Sequence, residues 1–192
     1  MRRDRHIQRG FTVIELLVAG SLAIMVSGIL LEFLVRQTDF SDTVAMESDL
    51  RSQVQLATTD MLKELRHATR AAGGSPPNIS IPAAPNNTTI TFYLPADLDG
   101  NGMIIDAAGS LEWAVLNPVQ YQYDAPSRQL RRIDNTGTRV IANTVSQVSF
   151  EDRTINASLL TDEVRIRLTL QDTTSRGRTL SAADTALVKL RN

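Results

Sequence analysis

The hydrophobic and polar positions of this chain change their pattern twice. From Phe11 to Leu31 almost every residue is apolar or small, and Glu15 is the only ionisable side chain. From about Val44 to Ala71 apolar residues recur at steps of three and four, which places them on one face of an α-helix. After Pro77 the pattern alternates at every second residue, as in half-buried β-strands. The predicted order is an apolar helix, an amphipathic helix and then a set of strands.

The amphipathic helix has one face that is apolar enough to form half of a hydrophobic core. On the opposite face Glu47 and Arg51 are spaced to pair across one turn. Polar residues at 39–42 predict a kink or a cap before this helix, and the glycines and prolines of 73–77 predict its end. The residues predicted to share the core face are Leu50, Val54, Ala57, Met61, Leu65, Ala68 and Ala72.

The predicted strands are short and are separated by turn-forming residues. Tight turns at 124–127 and 135–137 predict a meander of antiparallel strands. Because the apolar face of the helix needs a sheet to cover it, the predicted fold class is α+β, with a long N-terminal helix packed on an antiparallel β-sheet. The strands are predicted at 89–94, 119–124, 129–134, 138–142, 145–150, 163–170 and 186–190.

The single carboxylate in the apolar segment is the first indication of function. A charge inside an apolar span costs enough free energy that it usually indicates a definite partner. If the chain is cut after Gly10, the new amino group of Phe11 lies one helical turn from Glu15, and an ammonium is the natural partner of a carboxylate. The leader before the cut is basic, which predicts a cytoplasmic N-terminus and places residues beyond about Glu32 outside the inner membrane. Its arginines are Arg2, Arg3, Arg5 and Arg9.

The basic leader followed by Gly10, Phe11 and Glu15 resembles the signal of type IV pilins, pseudopilins and related filament proteins. The resemblance implies that a membrane prepilin peptidase cleaves between Gly10 and Phe11 and methylates the new amine. It also implies a division into a leader (1–10), a transmembrane and filament-core helix (11–35) and a periplasmic pilin-like domain (36–192). The implied partners are other pilins or pseudopilins, the prepilin peptidase and an inner-membrane assembly platform.

Less specific sequence similarities extend the resemblance over the whole chain. They are similar to the W-type minor pilins and to the J-type minor pseudopilins of type II secretion, both of which are filament subunits. The implied function is a structural subunit that primes or caps a filament, first as a single-pass inner-membrane protein and later in a cell-surface pilus or a periplasmic pseudopilus. The alternatives are a type II secretion pseudopilus tip subunit and a membrane-anchored periplasmic binding or adhesin domain. The similar segments are 51–66, 121–123, 130–132 and 190–192.

Two simpler explanations of the N-terminal segment fit the sequence less well. The sixteen-residue charge-free run from Leu16 to Leu31 is also compatible with a secretory signal or a plain anchor. A secretory signal has small residues after its apolar run, whereas here 32–36 contains Glu32 and Arg36, and small residues stand at 19–21 in the middle of the run. A plain anchor has no need of a carboxylate. The sequence favours the prepilin signal.

Composition argues against several other functions. The formal net charge is −1, and removal of the leader with its four arginines and one aspartate leaves 16 basic and 20 acidic residues, a charge of −4. A mildly acidic chain is not an obvious nucleic-acid binder. Cysteine is absent, and His67 is the only histidine after the leader, so the sequence offers neither a thiol nucleophile nor a cluster of zinc ligands. We therefore expect no enzymatic activity.

The segment 97–102 contains one internal motif with possible metal chemistry. Oxygen-bearing side chains at its first, third and fifth places before a glycine match the opening of an EF-hand calcium loop. The twelfth place is Ala108 instead of glutamate, and the alternative is an ordinary turn without any cofactor, for which Asp, Asn and Gly are common residues. The candidate calcium ligands are Asp97, Asp99, Asn101 and Asp106, with Glu112 as the alternative closing ligand.

Overall fold

The computed structural model describes residues 12–68, 79–105, 112–114 and 116–190. In this part of the chain one long α-helix is followed by strands that form two antiparallel sheets, so the predicted α+β class is confirmed. The elements are α1 (Val13–Leu65), β1 (Thr89–Phe92), β2 (Val119–Asp124), β3 (Gln129–Asp134), β4 (Gly137–Ala142), β5 (Val145–Glu151), β6 (Glu163–Thr173) and β7 (Thr179–Lys189).

Helix α1 continues through the polar stretch 39–42, where the sequence predicted a kink or a cap. The hydroxyl of Thr43 donates a hydrogen bond to the backbone oxygen of Asp39 at 2.8 Å, one helical turn earlier. This bond to the oxygen four residues earlier satisfies the hydroxyl within the helix, and bonds of this kind often bend a helix slightly. The helix is continuous here, so the predicted cap was wrong, and the kink stays a prediction.

The C-terminal end of α1 is tightened before the described segment stops. The N–H of His67 donates to the oxygen of Glu64 at 3.0 Å, and the N–H of Ala68 donates to that of Leu65 at 3.1 Å. These bonds span three residues instead of four, which is common in the last turn of a helix. The predicted end at Ala71 and the glycines and prolines after it lie outside the described residues.

The chain forms two compact units, Met1–Val44 and Ala45–Asn192. In the first unit none of the described residues is buried, and the large apolar side chains of α1 are exposed. The second unit contains the hydrophobic core. The residues that α1 contributes to that core are Leu50, Val54, Ala57, Met61, Leu65 and the following Ala68, which confirms every described member of the predicted face.

The two sheets have the strand orders β1-β2-β3-β4 and β5-β6-β7, and every pairing is antiparallel. The predicted meander is confirmed in the first sheet. Strand β7 begins at Thr179 and not at 186, because it pairs with β6 at every position from Thr179 to Lys189. The first half of β7 carries mostly small and polar side chains. A search for alternating large apolar residues therefore could not detect this half of the strand.

After β1 the chain forms a further short antiparallel pairing, between the segments around Pro95 and Trp113. Ala114 donates its N–H to the oxygen of Leu94 at 3.2 Å, and Ala96 donates to the oxygen of Glu112 at 3.1 Å. Between these bonds Pro95 and Trp113 form an isolated antiparallel bridge. This pairing returns Glu112 to the vicinity of the loop that follows Ala96.

Hydrogen bonds among the described residues link the two sheets and the segments next to them. At one place the N–H of Phe150 donates to the backbone oxygen of Asn87 at 2.8 Å, and the Asn87 amide donates to the oxygen of Phe150 at 3.1 Å. At the other place Arg128 has a left-handed backbone conformation with φ of 52°. Its oxygen accepts the N–H of Val145 at 2.9 Å, and its guanidinium donates to the oxygen of Gln171.

A group of polar side chains ties the end of α1 to the first sheet. Glu64 accepts hydrogen bonds from the Tyr121 hydroxyl at 2.8 Å and from Nε of Arg132 at 3.0 Å. The same guanidinium pairs with Asp134. Burial raises the pKa of Tyr121, and the negative charge of Glu64 raises it further, so the phenol stays protonated and keeps donating. We call Glu64, Tyr121, Arg132 and Asp134 the polar clamp.

Candidate functional site

The predicted processing junction lies at the limit of the described chain. Gly10 and Phe11 are outside the described residues, and the first described residue, Thr12, is exposed. Helix α1 begins at Val13, so Glu15 stands in its first turn. The structure therefore locates the candidate assembly carboxylate and gives no geometry for the amine that we expect beside it.

Glu15 and Thr12 form hydrogen bonds with each other at the start of the helix. The backbone N–H of Thr12 donates to Oε2 of Glu15 at 3.0 Å, and the Thr12 hydroxyl donates to the same oxygen at 3.1 Å. In return the N–H of Glu15 donates to the threonine hydroxyl at 3.3 Å. This reciprocal arrangement is a capping box, in which a threonine and a glutamate three residues later satisfy N–H groups that the helix leaves free.

The capping box gives Glu15 a structural role that the sequence interpretation missed. The spacing Thr12-x-x-Glu15 before an apolar run is its signature and was present in the sequence. A negative charge in the first turn is also favoured by the partial positive charge of the helix N-terminus. Both effects hold the carboxylate at the end of the helix, four residues after Phe11 in the sequence.

The first part of α1 is long and apolar enough to cross a membrane. An 18-residue window reaches a mean hydropathy of 2.3, and none of that window is buried. A hydrophobic stretch of this length matches the hydrocarbon thickness of a bilayer. The described chain thus contains one N-terminal helix that is suited to a single-pass anchor.

The second candidate site is the loop that follows Ala96, which we call the acidic loop (97–105). Carboxylate oxygens of Asp97, Asp99 and Glu112 lie within 4.8 Å of one another. Asp97 and Asp99 are exposed, and Glu112 is the least exposed of the three. Glu112 also accepts a hydrogen bond from the N–H of Leu98, which fixes it against the loop.

The backbone of the acidic loop turns around its own carboxylates. Asp97 accepts the N–H groups of Gly100 and Gly102, each at 2.8 Å. Both glycines have positive φ, 76° and 80°, a conformation that other residues rarely adopt. The hydrogen bond from Gly102 has the largest effect in lowering the pKa of Asp97, so this carboxylate remains charged at neutral pH.

Two of the predicted calcium ligands, Asp97 and Asp99, are brought together, and a third, Asn101, hydrogen-bonds within the same loop. The Asn101 oxygen accepts the N–H of Met103 at 2.7 Å, while its amide donates to Asp99 at 2.7 Å. Asp106 lies outside the described residues, and Glu112 stands beside Asp97 and Asp99. Carboxylates can bind Ca²⁺ through one or both oxygens, so with calcium bound these three would supply part of the six to eight oxygens that it takes.

No protein-family model, curated protein or solved structure matches this chain. The capping box, the apolar helix and the acidic loop are therefore interpreted from their own geometry and from the sequence motifs that predicted them.

Proposed function

We propose that this chain is a minor pilin or minor pseudopilin, a structural subunit that primes or caps assembly of a type IV pilus-type filament. The observation that carries the proposal is the position of Glu15. It is the only ionisable side chain between Phe11 and Leu31, and it stands in the first turn of a helix whose apolar part is exposed. An exposed apolar helix with one charge at its end needs a membrane or a filament core around it, and the charge needs a partner there.

The expected partner of Glu15 is the amine of a processed Phe11, on the same subunit or on its neighbour. Pairing of the two charges removes the cost of an isolated carboxylate among apolar helices. Before assembly the same helix anchors the subunit in the inner membrane with the leader in the cytoplasm. After assembly it forms part of the filament core, where Gly20, Ser27 and Gly28 allow close approach of neighbouring helices.

The second unit of the chain supports a role in assembly. Its core joins an amphipathic helix to antiparallel sheets, the layout expected for a filament subunit of this kind. The partners we propose are other pilins or pseudopilins, the prepilin peptidase and the inner-membrane assembly platform. The filament is a cell-surface pilus or, as the alternative, the periplasmic pseudopilus of type II secretion.

The processing step is the first prediction and tests the proposal directly. Intact-mass analysis of membrane-extracted protein should find a mature chain that begins at Phe11 with a methylated amine. Gly10→Leu should leave the leader attached, because a bulky side chain blocks the cut, whereas Gly20→Leu should be processed normally. A mature chain that keeps Met1, or that begins near Ser21 or Ala23, would contradict the prepilin assignment.

A second measurement separates a filament subunit from an anchored binding domain. Filaments sheared from cells should contain the processed chain, and deletion of the chain should change their number. A binding domain that merely shares the export route should remain in the membrane fraction, with filament number unchanged.

A further inference from the structure

Strand β7 has an open outer edge in the described part of the chain. It is eleven residues long, and β6 is the strand with which it pairs. An unpaired edge presents backbone N–H and C=O groups that another extended chain can bind. Natural proteins often protect such edges with proline, with bulges, with short strand length or with charged side chains. Strand β7 contains no proline and pairs with β6 without a register shift, and its charged side chains are Asp184 and Lys189.

The outward backbone groups of β7 can be identified from its pairing with β6. The N–H of Leu190 donates to the oxygen of Asp162 at 2.7 Å, in the same register as the strand pair. Because these groups alternate in direction along a strand, even-numbered residues of β7 point their backbone groups toward β6 and odd-numbered residues point them outward. The central outward residues are Ser181, Ala183, Thr185 and Leu187.

One inward-facing side chain on this edge is charged. Asp184 belongs to the set of β7 side chains that face the interior and is half-buried. It opposes Leu168 of β6, and its carboxylate accepts the N–H of Thr185 at 2.8 Å. An inward charge on an edge strand discourages indiscriminate pairing, because an incoming strand must place a compatible side chain beside it.

A cleft lies along the same part of the strand. It has a volume of about 330 Å³ and is lined by residues 181–184 of β7 and by Arg51, Val54 and Gln55 of α1. Val54 and Ala182 are its buried apolar lining residues. An added strand would direct every second side chain to the inner side of the sheet, where this cleft has room for it.

The charge of Asp184 also determines which kind of strand can pair with β7. In a fully overlapping antiparallel pair of two β7 strands, Asp184 would face its own copy, and like charges directly opposite each other are destabilising. A lysine or arginine at that position would instead form an ion pair. In an antiparallel addition this position is a non-hydrogen-bonded pair, in which the side chains are closest.

We propose that β7 docks an extended segment of another polypeptide as an added antiparallel strand that carries a basic side chain opposite Asp184. The backbone groups of Ser181, Ala183 and Leu187 supply the affinity, and Asp184 with the adjoining cleft supplies the selectivity. The basic side chain neutralises Asp184 and frees the N–H of Thr185 for the new ladder. This inference does not rest on the proposed filament function.

The test uses the full chain in detergent micelles and a labelled synthetic peptide, Thr-Val-Thr-Lys-Thr-Val-Thr. We expect fluorescence anisotropy to show binding and hydrogen–deuterium exchange to slow in residues 179–189. Methylation of the two central threonine amides, which face β7, should weaken binding by about tenfold or more. Methylation of the two valine amides, which face away from β7, is the matched control and should leave binding unchanged.

A charge exchange tests the role of Asp184. The peptide with glutamate in place of lysine should bind the wild-type chain about twofold to fivefold more weakly, and Asp184→Lys should reverse that preference. Asp184→Asn keeps the shape of the side chain and should bind both peptides alike. The proposal is overturned if the lysine peptide does not bind, if both methylation patterns weaken binding equally, or if the preference is the same in all three proteins.

Discussion

At the scale of single residues, the sequence indicated which side chains are unusual but not how each is satisfied. The lone carboxylate at Glu15 was evident from its apolar surroundings, and the EF-hand pattern identified Asp97 and Asp99. The sequence interpretation missed that Thr12 donates hydrogen bonds to Glu15, because it considered only a charged partner, the amine of Phe11. It did not foresee that the side-chain oxygen of Asn101, another candidate ligand, accepts the N–H of Met103.

The capping box makes a sharper test of Glu15 possible. Glu15→Ala removes both the charge and the cap, but Glu15→Gln removes only the charge, because glutamine also serves in a capping box. If the carboxylate docks on the Phe11 amine, both variants should remain in the membrane and should be incorporated poorly into filaments. Quantitative immunoblots of sheared filaments measure this. If Glu15→Gln is incorporated normally while Glu15→Ala and Thr12→Ala are incorporated poorly, Glu15 acts only by capping the helix.

Asp134 predicts a dependence of stability on pH. The Thr136 hydroxyl, followed by the Arg132 guanidinium, holds the pKa of Asp134 well below its ordinary value. A carboxylate with a lowered pKa contributes stability above its unfolded pKa of about 3.9, and this contribution is lost as pH falls toward the folded pKa. The melting temperature of wild type should therefore exceed that of Asp134→Asn at pH 6, and the difference should shrink as pH falls below about 4. A constant difference across this range would contradict the prediction.

At the scale of elements, periodicity predicted the helix and most strands because burial imposes it. The core face of α1 repeats at the helical period, and β1, β2 and β6 alternate apolar residues with polar ones. The first half of β7 could not be predicted in this way, since Ala182 is its only buried side chain. Its strand conformation comes from pairing with β6, a nonlocal contact that no local pattern encodes.

The polar clamp should stabilise the packing of α1 on the first sheet. Glu64→Ala removes hydrogen bonds to Tyr121 and Arg132 in a half-buried site, and we expect it to lower the free energy of unfolding by about 1–3 kcal/mol. Asp60→Ala, one turn earlier, is the control. Asp60 lies 3.9 Å from Arg139 at an exposed site, where an ion pair contributes about 0–1 kcal/mol. Urea denaturation measures both, and equal losses would show that the clamp has no special role.

At the scale of the whole molecule, a ligand that binds only the folded state stabilises all of the structure that unfolds with its site. If the acidic loop binds calcium, free calcium at about 100 times the dissociation constant adds about 2.7 kcal/mol to the free energy of unfolding. We expect the chain in detergent to melt at a higher temperature in millimolar calcium than in chelator. Magnesium should have less effect, because it requires near-ideal octahedral geometry and retains its waters.

Variants of the acidic loop decide whether such a shift is specific. Asp97→Asn and Asp99→Asn should each reduce it, while Asp49→Asn on the exposed side of α1 should leave it intact. Glu112→Gln tests the alternative closing ligand, whose carboxylate lies beside those of Asp97 and Asp99. Identical melting of wild type in calcium and in chelator would show that residues 97–105 form only a turn.

Trp113, which forms the bridge with Pro95, is an intrinsic fluorescent reporter of the acidic loop. Trp113 is the only tryptophan of the chain, it is 8% exposed, and it directly follows Glu112. Indole emission depends on the polarity and rigidity of its surroundings, so any ligand that draws Glu112 toward Asp97 and Asp99 should change the wavelength or intensity of that emission. The acidic loop can thus be titrated in the unmodified protein by tryptophan fluorescence, without a label and independently of unfolding.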